Sequence, residues 1–152
     1  MPKAKPKNLD KPWVGSFIKV MSSLNTWLYK ASGGKIAGKL SSGVPFMLVT
    51  TIGRKSGKPR TKPLAYLRDG ENIVRVACQG GRTNHPLWYS NLVANPDCTV
   101  QIGNDVENRR ARTASTAEKE RLWPLLVRVY PDYDNYQSWT DREIPVVILE
   151  RA

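Results

Sequence analysis

The chain is poor in the residues that most enzymes use for chemistry. It has one histidine, His85, and two cysteines, Cys78 and Cys98, which share no C-x-x-C spacing. That set cannot build a usual structural zinc site, and no metal is expected. Thiols in a reducing cytoplasm are the expected state of both cysteines. His85 precedes a proline in a loop, and no serine sits in a strained elbow, so nucleophilic catalysis lacks its parts. Asp132, Asp134 and Asp141 form no recognisable acid–base pair or metal set. No apolar run reaches the ~18 residues that span a bilayer, and no signal-type apolar stretch opens the chain. The expected location is the cytoplasm. No repeat is present.

Acids are also scarce, with 13 Asp and Glu against 24 Lys and Arg, a net charge of +11 over 152 residues. Residues 1–40 carry eight lysines against Asp10 alone, so +7 of that charge belongs to the start of the chain and only +4 to the rest. A surplus of this kind points to an anionic partner: a membrane face, a nucleic acid or an acidic small molecule. Within the less basic remainder, Thr50–Pro63 stands out. Arg54, Lys55, Lys58, Arg60 and Lys62 fall within nine positions with no acid among them, around Gly53 and Gly57. The stretch follows the apolar run Pro45–Val49 and reads as a strand, a glycine-hinged turn and a second strand. Amides freed by glycine beside fixed cations suit a phosphate or carboxylate. A solvated basic hairpin is the plainer reading of the same residues.

Taken in order, residues 1–11 mix Pro, Lys and Asn and are expected to be largely disordered. Val14, Phe17, Met21, Leu24 and Leu28 then recur at helical spacing, joined by Ile18, Val20 and Trp27. This basic amphipathic helix either caps the core or lies on an anionic membrane surface through residues 12–30. Residues 31–43 read as a flexible connector, which divides the chain into an arm at 1–43 and a β domain at 44–152. Strands are expected at 45–51, 61–68, 73–78, 97–102, 106–113 and 144–149, with Asp69-Gly70 as a tight turn. One helix is expected after Asn84 as its cap, running to Asn95-Pro96. A second starts at a capping box, Ser115 with Glu118, with Leu122, Leu125, Leu126 and Val129 inward. Residues 130–141 read as an aromatic loop. The sum is a mainly β fold with helices (α+β), a small barrel of about six mostly antiparallel strands.

Three features are candidates to converge: the cationic turn, the Gly80-Gly81 loop leading to Trp88, and Tyr130, Tyr133 and Tyr136 with Trp139. Gly80-Gly81 permits close approach by a flat or phosphorylated ligand. Tyrosines three apart share a face if helical, to stack on an aromatic ligand, donate protons or latch the core. Together with Pro86-Leu87-Trp88-Tyr89, Ala94-Asn95-Pro96, Tyr130-Pro131, Tyr136-Gln137-Ser138-Trp139-Thr140-Asp141-Arg142 and Ile144-Pro145, these stretches resemble the deazaflavin (coenzyme F420)-dependent nitroreductase family of actinobacteria. The likeness runs over almost the whole chain.

The resemblance implies a split β-barrel, FMN-binding-like, that uses coenzyme F420, a deazaflavin with a phosphate and an oligoglutamate tail. It implies Arg54, Lys55 and Arg60 on phosphate and carboxylates, with Ser56 and Gly57 as turn amides. Pro63, Ala77, Gly80, Gly81, Leu87, Trp88 and Asn91 would line the rest of the cofactor site. Tyr130, Tyr133 and Tyr136 would be the catalytic and acceptor-pocket residues. The reaction implied is hydride transfer from the reduced cofactor to a quinone or nitro compound. Ala65 and Cys78 stand where well-studied members of the family have a tyrosine and a serine, so the acceptor pocket differs here. Two other readings of the chain are a basic β-barrel that grips nucleic acid and an FMN-binding oxidoreductase; the tail-binding cations favour the deazaflavin.

Overall fold

Three consecutive buried residues, Met47, Leu48 and Val49, lie near the start of strand β1 (Phe46–Ile52). A strand that is apolar on both faces belongs inside a sheet with cover on each side. The computed structural model, which describes residues 3–32, 45–78 and 84–152, puts it there. Strands β2 (Pro59–Ala65), β3 (Leu67–Asp69), β4 (Asn72–Val76), β5 (Asp97–Ile102), β6 (Asp105–Thr113) and β7 (Val146–Arg151) complete a seven-stranded sheet in the order β2-β1-β5-β6-β7-β4-β3. Every pairing is antiparallel.

Strands β2 and β3 are neighbours in the chain but sit on opposite edges of the sheet, with Tyr66 alone between them. The sheet must therefore curl until its edges nearly meet, which is a split barrel. Two hydrogen bonds hold the seam: Tyr66 N–H donates to the Pro45 carbonyl at 3.3 Å, and Arg75 Nη1 to the Ala65 carbonyl at 3.2 Å. The strand expected at 61–68 breaks at this crossing, so the described residues form seven strands instead of six. Gly70 and Gly103 turn the β3–β4 and β5–β6 hairpins at positive φ (60° and 61°), where a Cβ is disfavoured.

Helices α2 (Leu87–Ala94), α3 (Thr116–Val129) and α4 (Asp132–Ser138) cover the sheet. The capping box at Ser115 and Glu118 is formed. A hydrogen bond from Arg112 holds the Glu118 carboxyl down at about 2. Leu122 and Leu126 are buried, but Leu125 is exposed and Val129 half-buried, because they flank the inward stripe instead of lying on it. Residues 132–138 are helical where a loop was expected. Asn84 does not cap α2; Pro86 occupies the N-cap without a side-chain bond.

Helix α1 (Pro12–Ser32) is anchored at one end by Tyr29, which is 1% exposed. The Tyr29 hydroxyl accepts from Gly103 N–H at 2.8 Å and lies 3.3 Å and 3.4 Å from the carbonyls of Phe46 and Gln101. On the other side, Trp13, Val20, Leu24 and Trp27 are exposed. Steps of seven, four and three residues put them on one stripe of the helix, so this part of the apolar face does not cap the core. The side chains of Val14, Phe17 and Ile18 are outside the described set. The expected connector and domain boundary fall in 33–44, outside the described residues. Residues 3–11, expected to be disordered, are tied down instead: Lys3 N–H donates to Asn135 Oδ1 at 2.7 Å, Lys3 Nζ pairs with Asp132, and Trp139 Nε1 donates to the Lys3 carbonyl.

Arg110 and Arg112 face solvent as expected, but Arg109, next to Arg110 on the same strand, is 1% exposed. It donates to the carbonyls of Glu71 at 2.6 Å and Leu149 at 3.3 Å, and to Glu107. Arg109→Ala leaves those acceptors unpaired and is expected to cost about 3 kcal/mol. A urea midpoint lowered at constant m-value checks this, and a loss under about 1 kcal/mol would show that the carbonyls find other donors.

Candidate active site

Strand β1 ends in a turn built on Gly53. Gly53 N–H donates to the Lys58 carbonyl and Gly57 N–H to the Gly53 carbonyl, both at 2.8 Å, while Lys58 N–H reaches Ser56 Oγ at 3.2 Å. A Cβ at Gly53 would lie 2.6 Å from Ser56 Oγ, so a larger residue there would displace the hydroxyl that accepts from Lys58 N–H. Buried Asn91 pins this turn to helix α2: its Oδ1 accepts from Arg54 N–H and its Nδ2 donates to Thr51 Oγ1, each at 3.1 Å.

Between the turn and α2 opens a cavity of about 520 Å³. Arg54, Lys55, Arg60 and Lys62 give it four cations; Thr51, Ser56 and Asn91 give polar atoms; Leu87 and Trp88 form an apolar wall. No carboxylate is among the lining residues, and Ser23 of α1 completes the rim. Seven of the predicted cofactor residues therefore meet in one place: Arg54, Lys55, Ser56, Arg60, Leu87, Trp88 and Asn91. Gly57 is exposed at the bend, Pro63 lies opposite Leu48 in the ladder, and Ala77 is buried in the core beside Trp88; none of these three lines the cavity. Gly80 and Gly81 are outside the described residues. Thr51, Gly53, Lys62 and Ser23 were not anticipated as lining residues.

A second cavity, of about 160 Å³, is lined by Phe46, Ala65, Arg75, Cys78, Tyr130, Tyr133 and Tyr136. All five predicted pocket residues are in it. Tyr133 and Tyr136 share a face of α4, and Tyr130 reaches them from the end of α3. The Tyr130 and Tyr136 hydroxyls are 3.0 Å apart, and the Tyr130 and Tyr133 rings meet edge-on at 5.0 Å. Burial is the main cause that raises the Tyr133 and Tyr136 phenols above their ordinary value of 10. For Tyr133 the neighbouring Arg75 opposes that shift.

Arg75 was missed, because a lone arginine in a strand reads as a solvent-facing residue. Its Nη1 donates to Tyr133 at 3.1 Å, and its guanidinium carbon lies 6.0 Å from the Trp88 ring centre. It thus touches residues of both cavities. His85 plays a structural part in keeping with its loop setting. Its Nδ1 lies 3.0 Å from Arg142, which also donates to the carbonyls of Ala77 and Cys78. Burial and the Arg142 charge keep its pKa below the usual value. Cys78 and Cys98 are free and buried, and burial pushes the Cys98 thiol up to about 11.

The profile of the F420H(2)-dependent quinone reductase family matches residues 21–151. The chain belongs to that family. An F420H(2)-dependent quinone reductase of Mycobacterium tuberculosis is 37% identical over 131 residues, covering 84% of this chain and 88% of that protein. Among solved structures, an F420-H2 dependent reductase matches at 46% identity and a TM-score of 0.65, over 70% of this chain and 94% of its own. A structure described as a domain-swapped dimer matches at 36% and 0.68, over 90% and 98%. The family's donor is reduced coenzyme F420, and its members are oxidoreductases that act on quinones.

The raised phenol pKa values make a prediction about pH. The neutral phenols contribute stability that is fully present below pH 10 and is lost as pH rises through their raised folded values. Phenolate absorbance from Tyr133 and Tyr136 should therefore emerge last in an alkaline titration, and Tyr136→Phe should remove part of that late rise. Ionisation of both at or below pH 10 would show the cavity to be open to water.

Proposed function

We propose that the cavity beside the cationic turn holds coenzyme F420 and that the tyrosine cavity receives a quinone or nitro-type acceptor. One observation carries this reading: four of the five clustered cations point into a single aromatic-walled cleft that contains no acid. A solvated hairpin would scatter them, and a nucleic-acid groove would string them along a path. The donor set fits the cofactor. Arg54, Lys55, Arg60 and Lys62 match the phosphate and glutamate carboxylates, and Trp88 and Leu87 offer a wall to the ring. Bound there in reduced form, coenzyme F420 supplies the hydride.

The chain's own residues position the ring, exclude water and supply protons. Tyr133 and Tyr136 remain protonated through the neutral range, so each can donate a hydrogen bond or a proton to an acceptor oxygen, and the Tyr130 hydroxyl lies 3.0 Å from that of Tyr136. Ala65 and Cys78 shape the acceptor site with a methyl and a weak donor, which favours a quinone over a bulky nitroimidazole. Mixing the protein with the reduced cofactor and menadione should restore the absorbance of the oxidised cofactor. Arg54→Ala and Lys55→Ala should each lower F420 affinity roughly tenfold, the scale of one charge-assisted contact, with FMN binding weaker than F420 throughout. Normal F420 affinity in both variants would refute this cofactor placement.

Residues 44–152 carry the cofactor-binding barrel, and residues 1–43 form the arm that brings it to its acceptor. No described helix is long and apolar enough to cross a membrane. The exposed stripe of Trp13, Val20, Leu24 and Trp27, on the +7 arm, instead supports peripheral attachment to the inner face of the cell membrane. Deleting the arm would also remove the Tyr29 anchor, so substitution is the cleaner test. Trp13→Ser with Trp27→Ser should abolish sedimentation with anionic vesicles and leave menadione reduction intact. Unchanged sedimentation would sink the attachment.

A further inference from the structure

Arg75 is a half-buried cation to which no described carboxylate gives a counter-ion. It lies on β4 (Asn72–Val76) between Val74 and Val76, both 0% exposed. Its Nη1 bonds only neutral groups, the Ala65 carbonyl and the Tyr133 hydroxyl. Its Nε is buried with no hydrogen-bond partner. Among the described residues no carboxylate forms an ion pair with it. Arg109, which is fully buried where Arg75 is half-buried, is by contrast saturated by two carbonyls and Glu107. The rest of the cavity around Arg75 is methyl, thiol, phenyl and phenol.

A half-buried cation with a buried, unpartnered N–H and no counter-charge gains from a ligand that brings one. We propose that Arg75 makes the tyrosine cavity an anion-recognising acceptor site. It would take an acceptor whose ring carries a charged oxygen (an enolate, carboxylate or sulfonate) in preference to an uncharged ring of the same shape. The contact with Tyr133 fits this role, since an arginine that donates to the phenol oxygen leaves the phenol O–H free to donate to the same anion. This assignment rests on the acceptor reading of that cavity, but it concerns binding and not turnover.

The probes are lawsone, a hydroxynaphthoquinone that is an anion at neutral pH, and its uncharged methyl ether. Binding to the full chain is followed by quenching of protein fluorescence, with oxidised F420 present to occupy the cationic cavity. The same titration is run without F420 on a chain carrying Arg54→Ala and Lys55→Ala. Lawsone is expected to bind the wild-type chain about tenfold or more tightly than the ether, the scale of one hydrogen bond to a charged group. Arg75→Gln should erase that preference and Arg75→Lys should keep part of it. Equal affinities in the wild-type chain overturn the proposal even if Arg75→Gln fails to fold. A preference that survives Arg75→Gln overturns it as well, and so does one that disappears when Arg54 and Lys55 are replaced. A preference that persists without any F420-dependent turnover supports the anion site and counts against the redox reading.

Discussion

Closure of the sheet at Tyr66 is the constraint on which the rest of this structure depends. Because β2 and β3 are joined by one residue and lie on opposite edges, the sheet has to bend round until its edges face each other. That bend brings Ala65, at the end of one edge strand, against Arg75, on the strand beside the other edge. It also sets Tyr130, Tyr133 and Tyr136 around Arg75, whose guanidinium carbon lies 6.0 Å from the Trp88 ring centre. A flat sheet of the same seven strands would hold the same pairings and have no shared wall between two cavities.

Electrostatics then divide the labour between the cavities. The larger one is made of cations on a turn whose backbone is satisfied internally, by Gly53, Ser56 and Lys58, and pinned by Asn91. The turn therefore needs no reorganisation of its backbone to meet an anionic ligand. In the smaller one, the Tyr133 and Tyr136 phenols hold their protons because burial penalises the phenolate. Among the described lining residues Arg75 is the one that carries a charge.

The N-terminal arm combines two opposing features. Tyr29 and Lys3 tie it to the barrel, while a stripe of large apolar side chains between them faces outward. Fixing both ends of the arm keeps that stripe in a constant orientation relative to the active site, since Ser23 on the same helix borders the cationic cavity. A surface bound by the stripe would therefore lie at a defined place beside the cationic cavity.

Much of the local structure was legible in the residues alone. Apolar runs bounded by glycine turns marked the strands, Ser115 and Glu118 marked the start of α3, and five cations without an acid marked the anion site, because each of these signals acts between neighbours in the chain. The tyrosine triplet was legible as a set, and its placement with Ala65 and Cys78 followed from resemblance. What sequence could not show was which arginine turns inward. Arg75 and Arg110 both alternate with other residues on a strand, and only the curl of the sheet puts one inside and the other in solvent. Arg109 is a core residue for the same reason: three strands and a turn meet around it, and their carbonyls replace the water it would otherwise need. Local chemistry wrote the elements and the charge of the site, whereas burial, which depends on partners distant in the chain, decided which side chains face it.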